Sequence, residues 1–147
     1  MSEQNKALLR RGLEEGWHQG KLEVFDEHVA ANCVFNIPSL PDGKSTGPEA
    51  YKQHVQMFRA AFPDIHATIN DQVAEGDKLV TRYTVTGTHK GALMGIAPTG
   101  KRITATGICI ARYQSGKLVE WWENVDTLGL LQQLGVVPVL APAGPSA

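Results

Sequence analysis

The chain of 147 residues predicts an α+β domain, a long curved antiparallel sheet packed on N-terminal helices and enclosing a pocket. Three observations carry this expectation. Helical spacing of apolar residues dominates up to Phe62. From His66 to Asp126 the pattern changes to period-2 alternation, broken by short Gly-containing turns. The stretch 102–113 then places Ala105, Gly107, Cys109 and Ala111 on one strand face. Four small side chains in a row cannot fill a core, so either a bulky helix or a ligand occupies the space above them.

Residues 4–19 read as a first helix, with Leu9, Leu13, Gly16 and Trp17 on one face and Gly20 as its stop. A short second helix fits 21–30 through Leu22, Phe25 and Val29, and 33–37 reads as a strand closed by Pro38. The turn residues Pro41, Asp42 and Gly43 make 39–46 a loop. Thr46, Pro48 and Glu49 have the spacing of a capping box, which starts a helix with the stripe Tyr51, Val55, Phe58 and Phe62. His54 and Met57 lie beside that stripe. Strands at 66–74 and 78–88 flank a hairpin turn at 75–77, and strands at 102–113 and 117–126 flank another at 114–116. Between the hairpins, four Gly and Pro residues make 89–101 a long loop, where His89 reads as a loop-fixing hydrogen bonder. Asp126 can cap a final short helix closed by Gly135. The expected division is a domain at 1–135 and a Pro-rich tail at 136–147 that could pack on a neighbouring subunit.

Composition excludes several classes. The net charge is −1 and Lys and Arg are scattered, which argues against a nucleic-acid surface. No apolar run approaches the ~20 residues of a membrane span, and the polar start lacks the core of a signal peptide. Cys33 and Cys109 lie far apart without metal-ligand spacing and read as reduced core residues of a cytoplasmic protein. His18, His28 and His66 show no spacing with carboxylates that would make a metal site.

The chemistry-bearing residue is Glu123. In the strand 117–126 it shares a face with Val119, Trp121 and Val125. If that face is inner, desolvation raises the carboxyl pKa and makes it a proton-transfer group; if it is outer, Glu123 is an ordinary surface acid. Arg82 shares a face with Val80, Thr84 and Thr86. On an inner face it would join the pocket and pair with Glu123; on an outer one it is structural.

Several segments resemble the SnoaL-like polyketide cyclases. They are Gly116 to Glu120 with Glu123 and Asp126, Leu128 to Gly135, Gly47 to Ala50 with Phe62 to Asp64, Gly87 to Gly91, and Pro98 to Lys101. The resemblance covers about residues 5–135. It implies the cone-shaped fold of the nuclear transport factor 2-like superfamily, and ring closure by intramolecular aldol condensation. It also implies an acidic general acid/base, no metal or other cofactor, and a homodimer or homotetramer. Alignment on Gly116 and the final Leu-Gly pair puts Glu123 where the family usually has its catalytic Asp. Gly107 and Cys109 fall where a ring-closing cyclase has Gln and His, and Trp17 and His54 fall at pocket positions.

The reading that follows is a cofactor-independent acid/base enzyme acting on an apolar carbonyl compound, by aldol-type cyclisation or ketone–enol isomerisation. Glu123 would accept the proton and His54 would assist. Trp17, Phe35, Met57, Phe58, Gly107, Cys109 and Trp121 would shape the pocket, with Arg82 included if it faces inward. The absence of a polar pair at Gly107 and Cys109 leaves open a non-catalytic small-molecule binding protein. Epoxide hydrolysis is a third reading, but it needs a second inner acid. Ile108, Ile110 and Trp122 point away from the pocket and suggest a subunit interface.

Overall fold

A computed structural model describes residues 2–139, so most of the expected tail lies outside the described residues. Along the chain come α1 (Ser2–Arg11), a π-helical segment (Gly12–His18), α2 (Val24–His28) and β1 (Val29–Asn36). A short turn of 3₁₀ helix (Pro41–Gly43), β2 (Lys44–Thr46) and α3 (Pro48–Ala61) follow. The remainder is β3 (His66–Glu75), β4 (Lys78–Thr88), β5 (Arg102–Gln114), β6 (Lys117–Val125) and α4 (Thr127–Gln133). The strands form one curved, unclosed sheet in the order β2-β1-β6-β5-β4-β3.

Both hairpins form where the turn residues place them. At the β5–β6 turn, Ser115 and Gly116 both adopt positive φ, 51° and 75°, as a two-residue type I′ turn requires. All neighbouring strands run antiparallel except β1 and β6, which pair in parallel and make the sheet mixed. A parallel pair needs a long crossover rather than a turn, and residues 37–116, with β2, α3 and β3 to β5, lie between these two strands.

The helical region departs from the expected pattern in three places. The first helix is α-helical only to Arg11 and then widens into a π segment. Gly12 and Gly16 sit in that segment against Phe25 and His28, and a Cβ on Gly16 would overlap the Phe25 ring. The wider turn lets the chain pack closely there while aiming Trp17 inward. The second helix is shorter than expected because Val29 is already extended and begins β1. Thr46 is not an N-cap. It pairs with Val34 as the end of β2, within the stretch expected to be a loop. Gly47 takes the cap position at φ 84°, and its N–H donates to the Cys33 carbonyl at 2.8 Å. No side chain caps this end of α3.

The bulge in β6 matters most for the site. Tyr113 pairs with Leu118, whereas Arg112 pairs with Glu120, so Val119 is an extra residue. Leu118, not Val119, therefore joins Trp121, Glu123 and Val125 on the inner face. Two apolar clusters flank the hollow of the cone. One gathers Phe25, Phe35, Tyr51, Val55, Leu79 and Tyr113; the other gathers Phe62, Leu93, Ile103, Leu130 and Leu134.

Candidate active site

The hollow is built by side-chain size. Along the inner face of β5, Ala105, Gly107, Cys109 and Ala111 are buried yet short, so the sheet leaves space there. β4 contributes Thr81, Tyr83 and Val85, and β6 contributes Trp121, Glu123 and Val125. Opposite them, α3 presents Tyr51, His54 and Phe58, and the π segment presents Leu13, Trp17 and His18. Arg59 ties these two elements together by donating to the carbonyls of Trp17 (2.5 Å) and His18 (3.0 Å). The result is a mostly apolar cavity of about 180 Å³.

Strand register fixes the neighbours of Glu123. Cys109 stands opposite Glu123 on one side and Thr81 on the other. The Tyr83 hydroxyl donates to Glu123 Oε2 at 2.7 Å. Burial pushes the Glu123 carboxyl up to about 7, and the Tyr83 hydrogen bond opposes that rise by favouring the ionised form. Burial and the charge of Glu123 push the Tyr83 phenol and the Cys109 thiol well above their ordinary ranges, so both stay protonated.

The helix wall is different. The His54 ring lies 5.0 Å from Phe58, 6.0 Å from Tyr51 and 6.1 Å from Trp17, measured between ring centres. Burial lowers its pKa to about 4, so it is uncharged at neutral pH. His54 Nδ1 and Trp121 Nε1 are buried without a hydrogen-bond partner among the described residues. Trp17 Nε1 is satisfied by the Tyr51 hydroxyl at 3.0 Å.

Of the residues expected at the site, Trp17, His54, Phe58, Cys109, Trp121 and Glu123 line this cavity. Gly107 is on the inner face, with the Tyr83 ring against it. Three expectations are corrected. Phe35 is fully buried and stacked on Tyr51 (4.4 Å, 10°), so it supports the wall from behind rather than lining it. Met57 is 38% exposed, because Tyr51, His54 and Phe58 share the inward face of α3 and Met57 falls off it. Arg82 is exposed on the outer face, since alternation along β4 turns Thr81 and Tyr83 inward, and it makes no pair with Glu123. His89 fixes the loop as expected, with Nδ1 within 3.1 Å of the Thr99 N–H and 3.0 Å of its hydroxyl. Asp126 caps α4 by accepting from the Gly129 N–H at 2.9 Å.

Tyr83 is the residue bonded to Glu123 that the sequence expectations left out. Its signal was present: it alternates with Thr81 and Val85 on the face opposite Arg82. Among the described residues, no group of three His, Cys, Asp or Glu side chains converges as metal ligands. No helix of the described residues is long and apolar enough to cross a membrane.

A cone-shaped α+β fold with a half-buried carboxyl facing an aromatic-walled cavity defines a class of small-molecule pocket proteins. Comparison with known proteins narrows it. The family model for SnoaL-like polyketide cyclase matches residues 7–134. The chain is 30% identical over 120 residues to nogalonic acid methyl ester cyclase of Streptomyces nogalater, covering 81% of this chain and 89% of that one. It is 30% identical over 134 residues to aklanonic acid methyl ester cyclase DnrD of Streptomyces peucetius, covering 87% and 88%. Among solved structures, AclR from Streptomyces galilaeus matches with a TM-score of 0.82 at 29% identity, over 96% of this chain and 86% of that one. The chain belongs to the SnoaL-like polyketide cyclase family.

Proposed function

We propose that the protein is a cofactor-independent cyclase acting on an apolar carbonyl compound of the polyketide methyl ester type, with Glu123 as the proton-transfer group. One observation carries this reading: a half-buried carboxyl, pushed up to about 7 by desolvation, faces a cavity walled by aromatic rings. Near neutral pH about half of such groups are ionised and can accept a proton. Glu123 would remove a proton from the carbon next to a carbonyl. The enolate would then form a carbon–carbon bond to a second carbonyl of the same molecule. The resulting alkoxide would recover the proton from Glu123, so no net proton is consumed. Ketone–enol isomerisation uses the same first step and returns the proton to a different atom.

His54 enters as an uncharged hydrogen-bonding group, since burial disfavours its imidazolium. Trp121 Nε1, a donor on β6 without a partner among the described residues, suits a developing enolate oxygen. The test is turnover of nogalonic and aklanonic acid methyl esters by the wild type and by Glu123→Gln. Equal turnover by the two proteins would defeat the assignment.

A second reading is a non-catalytic binder of apolar small molecules. Gly107 and Cys109 favour it, because neither supplies a polar group where the resemblance leads one to expect Gln and His. Binding of these esters without turnover, together with a Glu123 carboxyl titrating in its ordinary range, would select that reading. In either case we place the protein in the cytoplasm as a homodimer or homotetramer built on the domain at 1–135. Two free buried cysteines and the outward-facing Ile108, Ile110 and Trp122 support that placement.

A further inference from the structure

Tyr83 and Gly107 are direct partners across β4 and β5. Glu123 lies one strand further, on β6, opposite Cys109. Residues on β4 and β6 are two strand spacings apart, about 9–10 Å. Two side chains at that separation meet only if the strand between them leaves a gap. Gly107 is that gap: a Cβ there would lie 2.5 Å from both Cζ and the hydroxyl of Tyr83. The ring therefore lies over the glycine, an arrangement known to stabilise glycine in sheets, and its hydroxyl reaches Glu123 Oε2 at 2.7 Å.

We propose that Tyr83, admitted by Gly107, is a positioning residue for Glu123: its hydroxyl holds Oε2 and leaves Oε1 turned to the cavity as the atom that takes the proton. The catalytic consequence rests on the role proposed for Glu123; the geometry does not. Oε1 accepts no hydrogen bond among the described residues, and Glu123 lines the cavity. A phenol that stays protonated donates most strongly to an ionised carboxylate. The clamp thus opposes the cost of burying the charge and holds the titration of Glu123 near neutrality.

The other titratable groups facing this carboxyl are Cys109 from β5, Tyr51 and His54 from α3, and His18 from the π segment. Burial raises the first two and lowers the last two, so near neutral pH all four are uncharged.

The experiment follows the Glu123 carboxyl directly, by carbon NMR of Glu-labelled protein, in the wild type, Tyr83→Phe, Gly107→Ala and the double variant. Tyr83→Phe deletes only the hydroxyl and should move the titration to higher pH by about one unit. The acid limb of kcat/KM should move with it, giving about a fivefold loss at pH 7 that is recovered by pH 9. Gly107→Ala displaces the ring and should shift the titration the same way, and the double variant should shift no further than Tyr83→Phe alone. An unmoved carboxyl titration in Tyr83→Phe overturns the proposal. Additive shifts in the double variant overturn the part assigned to Gly107. Should Gly107→Ala fail to fold, Tyr83→Phe alone decides the clamp. If Glu123→Gln stays active while Tyr83→Phe moves the titration, the catalytic reading falls and the clamp stands. If Glu123→Gln is inactive and the titration does not move, the reverse holds.

Discussion

The two walls of the cavity respond to burial in opposite senses. On the sheet wall, desolvation raises the Glu123 carboxyl to about 7; on the helix wall, it lowers the His54 imidazole to about 4. Each group is driven toward its uncharged form, because charge is costly in an apolar hollow. Their consequences differ. Glu123 has a hydrogen-bond partner in Tyr83 and titrates near neutrality, so it can exchange protons. His54 sits among rings with a bare Nδ1 and is uncharged at neutral pH. Burial thus moves a carboxyl and an imidazole in opposite senses, and on the sheet wall one cross-strand hydroxyl holds the carboxyl.

The strongest way to break this comparison is Glu123→Gln. Loss of a general base should lower kcat/KM by about 10²–10⁴-fold while thermal melting shows a folded protein. A wild-type rate would abolish the distinction between the walls. The next largest effect concerns what holds the helix wall up. Phe35→Ala should destabilise the protein by about 3–5 kcal/mol in urea titrations, as truncation of a fully buried ring does. Met57→Ala, on the exposed side of α3, should stay within about 0.5 kcal/mol of wild type. Similar losses for both would mean that the inward face of α3 has been wrongly assigned.

Stability against pH sharpens the contrast further. The folded-state pKa of Glu123 lies above its ordinary 4.5, so its contribution is full at low pH and is lost as pH rises through about 7. The folded-state pKa of His54 lies below its ordinary 6.5, so its contribution is full above that pH and is lost as pH falls through about 4. The slopes oppose each other between those limits. Glu123→Gln should expose a stability that rises with pH, and His54→Gln one that falls, each by on the order of 3 kcal/mol in chemical denaturation. Parallel curves for wild type and both variants would contradict the two titrations. The smallest effect is catalytic: His54→Gln keeps a neutral hydrogen-bonding side chain, so kcat/KM should fall by less than about tenfold, without moving the pH limb set by Glu123. A shift of that limb would show that His54 shares the proton.

Much of this arrangement was legible in the chain. The stripe of α3, the two hairpin turns, the Asp126 cap and the small residues along β5 follow from local periodicity and turn chemistry. The inward placement of Glu123 could be framed as one of two alternatives. The lining of the pocket was harder to read. Phe35, Met57 and Phe58 are all apolar and near one another in pattern, yet one lies behind the wall, one faces away and one faces the cavity. Helical rotation and depth separate them, and neither is encoded in hydrophobicity alone.

By itself, the amino-acid order determined where the chain alternates, where it turns, and that one acid stands among tryptophans on a strand. Those properties are local, governed by side-chain period and by the φ angles that Gly, Ser and Asp tolerate. Only the tertiary structure decided that β1 lies parallel to β6, that Thr46 joins a strand instead of capping a helix, and that Val119 is bulged out of register. It also decided that Tyr83 crosses Gly107 to meet Glu123. Each of these depends on which strands become neighbours and in what register, and residues 40 positions apart acquire a shared chemistry only once the sheet has brought them together.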